Sequence, residues 1–329
     1  MGKRSIDRRV FLRGLAGSTV AVGAATLAGP VTAAEAHGGT LIPKSHIGVQ
    51  MWSLRDKVIE LGFGPVFEEL SRIGYRFVEF AGYSDDYGGN LTAAQTRKLL
   101  DDNGLTAISS HRPIDDFRSD LERQLDIAAT LGLRHLGTPE APPGKFGDES
   151  ERTVSAYKAA AEAFNRWGEV SAARGITMFQ HNHTVEFSYA TDQPRVRLYD
   201  VFLRHTDPRL VSLQMDILWA YGGMRKYGGF RPIDYVKAYP HRYRMFHVKD
   251  GVPLANPQEA NSYQDVEMGL GVIPYAEFFS QMNGRGRFQY LWEEDSAPKT
   301  TPNPPGSLGA AERSYRHIRD LRRCTVPRS

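Results

Sequence analysis

Residues 175–183 read Gly175-Ile176-Thr177-Met178-Phe179-Gln180-His181-Asn182-His183, and they follow an amphipathic stretch over 151–174. The glycine stands where a helix C-terminus needs a left-handed residue, the next residues make an apolar run of strand length, and the run ends on imidazoles. The same succession recurs along the chain. Gly74, Gly104 and Gly132 also close a helical pattern one or two residues before an apolar run. Strands are expected over 46–52, 76–80, 105–110, 134–138, 176–181, 211–216, 243–249 and 287–293. Helices are expected near 63–73, 92–103, 115–131, 151–174, 197–206, 231–238, 272–283 and 308–323. Eight β-α units in strict alternation predict an α/β fold with a parallel sheet, and eight is the number that closes a single (β/α)8 barrel, here over 46–325 after a lead-in of 37–45. An open doubly wound sheet is the competing fold. It lacks its nucleotide-binding glycines, since the first strand is followed by Trp52-Ser53-Leu54-Arg55-Asp56.

Composition agrees with a folded domain. The chain has 329 residues, 41% of them hydrophobic and 24% charged, with a single cysteine, Cys324, which excludes disorder and a disulfide scaffold. Its formal charge of +3 is confined to residues 1–36, where Lys3, Arg4, Arg8, Arg9 and Arg13 face only Asp7 and Glu35. The remainder is neutral and offers no global attraction for nucleic acid or anionic lipid. The leader itself reads as a cleaved export signal: the twin-arginine run Asp7-Arg8-Arg9-Val10-Phe11-Leu12-Arg13, an uncharged Gly/Ala-rich stretch, and Ala34-Glu35-Ala36 before His37. The expectation is a periplasmic or extracellular barrel with no stable membrane insertion after cleavage. An uncleaved anchor competes, but its run is only weakly hydrophobic and Pro30 interrupts it.

Barrels place their chemistry at the C-terminal ends of the strands. Those ends are polar here: Gln50 and Trp52 on the first strand, Glu79 on the second, His111 on the third, His181-Asn182-His183 with Glu186 on the fifth, Asp216 on the sixth, His247 and Lys249 on the seventh, Glu293 on the eighth. A carboxylate or imidazole closing a buried strand needs a partner or a metal, because desolvation without one costs several kcal/mol. One ligand from each late strand gives His181 or His183, Asp216, His247 and Glu293. This mixed nitrogen and oxygen set suits Mn²⁺, Zn²⁺, Co²⁺ or Fe²⁺ better than Ca²⁺ or Mg²⁺. Strand alternation turns both His181 and His183 toward the site.

Seven phrases taken together resemble one family: GVQMWSLRD (48–56), GYRFVEFAG (74–82), HNHTVEF (181–187), MDILWAYGG (215–223), FHVKDG (246–251), MGLGVIPY (268–275) and WEEDS (292–296). The chain is similar to the sugar phosphate isomerase/epimerase superfamily of xylose-isomerase-like barrels, in an HNH-type subgroup. The resemblance runs through nearly all of the chain beyond the leader, and implies one divalent ion held by Glu, Asp, His and Glu from successive late strands. The last three match Asp216, His247 and Glu293. The first has no counterpart, because the fifth strand reads Gln180-His181-Asn182-His183, a departure that argues against an epimerase passing a proton between two metal-bound glutamates.

A divalent ion gripping a carbonyl and its neighbouring hydroxyl acidifies the intervening C–H and stabilises an enediolate, for which a base must lie within hydrogen-bond reach. His183 is the first candidate and Glu186 the second, with a turn contact as the alternative for Glu186. Lys249 is read as a donor to substrate or leaving group, or as a partner of Asp216 or Glu293. Gln50, Trp52, Glu79 and His111 are expected to contact substrate hydroxyls, and Trp219, in a glycine-bearing loop, to line the pocket or, as the better single reading, to pack in the core. Asp250 and Asp295 are read as structural, and Arg55 as positioning an acid or pairing with Asp56. Residues 139–150 and 251–266 read as loops that serve as lids or oligomer contacts, so that a homo-oligomer is left open. The function expected is a metal-dependent isomerase, epimerase or lyase acting on a non-phosphorylated carbohydrate. A non-catalytic carbohydrate-binding barrel is the alternative, and a nuclease is disfavoured by the neutral charge.

Overall fold

In a computed structural model the structure describes residues 39–82, 91–144 and 149–322; the leader and Cys324 lie outside them. Ten strands and ten α-helices follow in chain order among the described residues. The barrel strands are β1 (Ile47–Gln50), β2 (Phe77–Ala81), β3 (Thr106–His111), β4 (His135–Thr138), β5 (Thr177–His181), β6 (Val211–Asp216), β7 (Tyr243–Val248) and β10 (Gln289–Trp292). They form a closed parallel cylinder, with β1 sealed against β10 through Ile47 opposite Tyr290 and Val49 opposite Trp292. The outer helices are α1 (Arg55–Leu61), α2 (Phe63–Ile73), α3 (Ala93–Asp102), α4 (Ile114–Leu131), α5 (Val154–Ala172), α6 (Leu198–His205), α7 (Ile217–Tyr227), α8 (Pro232–Ala238), α9 (Tyr275–Gln281) and α10 (Gly306–Asp320). Gly74, Gly104, Gly132 and Gly175 all have positive φ, between 64° and 121°, as their places after helices require.

Two hydrophobic layers position the site. The larger lies between helices and strands, and the smaller fills the cylinder with Ile108, Phe179, Met245 and Leu291, against which Phe77 packs. Because strand side chains alternate, the next inward residue on these strands stands above this apolar plug.

Three expectations are corrected. The first strand stops at Gln50, and Met51–Leu54 form a 3-10 turn in which Gln50 Oε1 accepts the amide of Trp52. The segment around Trp219, expected as a loop, is helix α7. Asp216 caps it by accepting the Trp219 amide at 2.9 Å, and Gly222 and Gly223 serve packing, since a Cβ at Gly222 would lie 2.3 Å from the Asn261 carbonyl. Within 251–266, read as a loop, β8 (Asp250–Pro253) and β9 (Tyr263–Val266) pair as an antiparallel hairpin.

Candidate metal centre

Glu79 stands above Phe77, His181 above Phe179, His247 above Met245 and Glu293 above Leu291, each one inward step beyond the plug. Gln214, two residues before Asp216 on β6, lies at their centre. Its Nε2 donates to Glu79 Oε2 at 2.6 Å, which orients the amide because a carboxylate only accepts. Its Oε1 must then accept, from His111 Nε2 at 2.8 Å and from His181 Nδ1 at 2.9 Å. Burial holds both imidazoles below the usual histidine range and therefore neutral; His247 adds to this for His181, while for His111 the opposing pull of Glu79 is the smaller effect. His181 is left with a lone pair on Nε2, 3.9 Å from Asp216 Oδ2.

His247 joins the two sides of the site. Its Nε2 donates to Glu79 Oε1, while Nδ1 lies 3.0 Å from Glu293 Oε2 and 3.9 Å from Asp216 Oδ2. Burial disfavours its charge, but Glu293 and Glu79 prevail and push it up to about 10. Glu79 is raised by burial and lowered further by His111 and His247, so it stays ionised. It anchors the far nitrogen of His247, as carboxylates do behind metal-binding histidines.

Asp216 has one oxygen on the Trp219 amide; its buried Oδ2 accepts no hydrogen bond. Burial, only partly opposed by Lys249 and His247, pushes this carboxyl up to about 6. Asn182, on the opposite face of the chain from His181, grips the Asp216 backbone at both ends with 3.2 Å bonds. Lys249 is buried with its ammonium 3.1 Å from Asp216 Oδ2, against Glu293 Oε2, and 3.5 Å from Asp295. Burial would strip its proton, but the carboxylates of Asp216, Asp295 and Glu293 keep it charged. Glu293 would be raised by burial, yet Lys249 and His247 hold it well below the usual range.

Ligand atoms about 2.1 Å from a tetrahedral ion are about 3.4 Å apart. Asp216, His247 and Glu293 bring one ligand atom each within 4.8 Å of one another, with His247 Nδ1 3.0 Å from Glu293 Oε2 and 3.9 Å from Asp216 Oδ2, so these three fit one divalent ion, and His181 Nε2, 3.9 Å from Asp216 Oδ2, is the neighbouring candidate for a fourth ligand. His111, His181 and His247 also bring ring nitrogens within 4.8 Å of one another. His111, however, has committed Nε2 to Gln214 and turns Nδ1 toward Gln50 at 3.5 Å.

Above these groups opens a cavity of about 370 Å³ whose walls include Gln50, Trp52, His111, His183, Glu293 and Asp295. Trp52 is 41% exposed and the Arg55 guanidinium stacks 4.3 Å from its ring centre, while also donating to the Asp295 carbonyl. Arg55 thus props the tryptophan, in place of the expected acid partner. Glu79 and Trp219 are not on this wall. Glu79 is wholly buried beneath it, and Trp219, one helical turn past Asp216, packs under the Lys249 ammonium at 4.7 Å. Glu186 is buried behind His183 and accepts its backbone amide at 2.8 Å; burial pushes its carboxyl up to about 8. His183 is held down to about 3 by burial and Lys249. Asp250 organises 268–273 by accepting the amides of Gly269 and Ile273. Gln214 and Asn182 were not anticipated. Alternation from Asp216 points to Gln214, yet nothing in its residue type separates a buried amide from a surface one.

The family model of the xylose isomerase-like TIM barrel matches residues 67–317. The chain belongs to this family. Two inosose dehydratases are similar in sequence: that of Clostridium botulinum is 26% identical over 41% of this chain, and that of Geobacillus thermodenitrificans 24% identical over 60%. The matched stretches span 41% and 65% of those enzymes' own lengths. Among solved structures, a sugar phosphate isomerase/epimerase from Parabacteroides distasonis superposes with a TM-score of 0.64 at 22% identity, covering 87% of this chain and 95% of that one. The IolI protein, described with a bound zinc atom, superposes with a TM-score of 0.61 at 11% identity over 84% of this family member and 97% of its own chain.

Proposed function

We propose that this barrel is a divalent-metal-dependent enzyme that removes a proton next to the carbonyl of a non-phosphorylated keto-sugar or keto-glycoside, and that the reaction is completed by elimination. One observation carries the reading: three neighbouring strands bring ligand atoms of Asp216, His247 and Glu293 within 4.8 Å of one another, with His181 Nε2 3.9 Å from Asp216 Oδ2 as a fourth donor from the next strand. When bound, the ion polarises a carbonyl and stabilises the negative charge that proton loss creates. Gln214 keeps His181 in the tautomer that offers Nε2, and Glu79 holds the Nε2 proton of His247, so that Nδ1 is the nitrogen open to an ion once the proton shared with Glu293 has left. His183 is neutral on the cavity wall and accepts the proton; Lys249 is charged behind the wall residues Glu293 and Asp295 and donates to the departing oxygen. Trp52 offers its exposed face for stacking on a sugar ring, with Gln50 and His111 beside it.

Elimination is favoured over epimerisation by the inosose dehydratases among the relatives, and by the lack of a second glutamate on β5 to serve the opposite face. An exported enzyme would meet free sugars and not sugar phosphates, and the protein sequenced after export is expected to begin near His37. The deciding measurement is metal content. Wild type is expected to carry one ion per chain and His247→Ala and Asp216→Ala to carry almost none; equal, low content in all three would end the proposal. With metal loaded, incubation with 3-keto-glucosides in deuterated water separates a new unsaturated product from simple label uptake at carbon.

A further inference from the structure

A second cavity, of about 490 Å³, adjoins the first, and His183 lines both. Its walls include Arg152, Thr184, Lys226, Tyr227 and Asn261. Two of these are cations, and none of the described lining residues is a carboxylate. Glu186, buried behind His183 and accepting its amide, has its carboxyl pushed up to about 8 by burial, and so carries little negative charge at neutral pH.

The wall is built with care for its backbone. Ala260 and Ser262, on either side of Asn261, take positive φ values of 39° and 68°, which side chains other than glycine rarely adopt. Helix α7 holds them there. Arg225 donates to the Ser262 and Leu254 carbonyls at 2.7 Å each, Lys226 donates to the Ala260 carbonyl at 3.0 Å, and Gly222 lets the helix approach the Asn261 carbonyl. One of the three ammonium hydrogens of Lys226 is used in this way, and two remain.

We propose that this cavity is a subsite for an anionic group, a carboxylate, carried by the same substrate whose reacting carbonyl lies over the candidate metal centre. The substrate is then a two-part molecule that passes His183, and a glycoside bearing an acid is its class. This rests on the proposed reading of the first cavity, and deepens it. Lys226 is a recognition residue here, with no part in proton transfer.

The test compares cellobionate with its neutral parent cellobiose, by calorimetry on the metal-loaded protein. The acid is expected to bind roughly tenfold more tightly, with the preference shrinking as salt rises from about 50 to about 500 mM. In Lys226→Met the preference is expected to fall below about twofold, while cellobiose binds as in wild type. Equal binding of the two sugars by wild type, or a preference that survives in Lys226→Met, overturns the proposal. Inorganic phosphate that binds as tightly as cellobionate without competing with cellobiose also overturns it, since the anion would then be a separate ligand. Asp216→Asn keeps the two readings apart. It is expected to lose the ion but keep the preference, so a wild type free of metal that still prefers cellobionate defeats only the metal reading.

Discussion

At the residue scale the centre is a balance of buried charge, and Lys249 is its pivot. The ammonium is the nearest cation to both Asp216 and Glu293, and removing one partner of a buried pair costs about 3–5 kcal/mol. Lys249→Met is therefore expected to lower the stability of the metal-free protein by that order, and added metal should restore more of it than wild type gains; thermal melts with and without Mn²⁺ read both. Glu186 gives a pH signature. Its carboxyl titrates at about 8 when folded, above the ordinary 4.5, so the folded state binds the extra proton between those values and stability falls as pH rises through that window. Glu186→Gln keeps an acceptor for the His183 amide and should flatten this slope; urea midpoints at pH 5, 7 and 9 that decline as in wild type would refute the assignment. Sequence made the donor residues legible, because carboxylates and imidazoles that end apolar strands stand out. It did not give depth. Gln50 and Glu79 pair across β1 and β2, yet Glu79 lies beneath the cavity and Gln50 on its wall, because β1 stops at Gln50 while β2 runs two residues further to Ala81, which lines the cavity instead.

At the scale of elements, α7 shows where local reading fails. Two consecutive glycines suggested a turn, but the cap from Asp216 starts a helix and the missing side chains let it press on Phe187 and on the 260–262 backbone. Gly222→Ala would place a methyl 2.3 Å from the Asn261 carbonyl and 2.8 Å from Thr184 Oγ1, so a loss of about 1–3 kcal/mol is expected, the usual cost of overpacking. Urea denaturation measures it, and a neutral result would mean that α7 is free to shift. The hairpin of β8 and β9 was equally hidden, since its strands have only four residues each and only Asp250 and Gly251 among them are buried. Four of the regular β-α units were the most legible by contrast, because Gly74, Gly104, Gly132 and Gly175 close a helix just before an apolar run.

For the whole molecule, the eight-unit count and the phrases spread from 48 to 296 were enough to indicate both barrel and family. An ion shared by four strands ties half of the cylinder together, so metal is expected to act on global stability. At about one hundred times its dissociation constant it contributes about 2.7 kcal/mol, which raises the melting temperature by on the order of 5 °C. Scanning calorimetry with and without EDTA checks this, and His247→Ala should abolish the difference. Closure has another effect, on the chain as it is made. On the margin facing away from β2, Ile47 finds its partner in Tyr290, so the outer edges of the first seven staves stay bare until the eighth has left the ribosome. At translation speeds of about 5–20 residues per second, synthesis of the stretch from Ile47 to Tyr290 keeps the outer margin of β1 bare for an interval of roughly 10 to 50 s. Throughout it the unfinished sheet is a natural client for a holding chaperone.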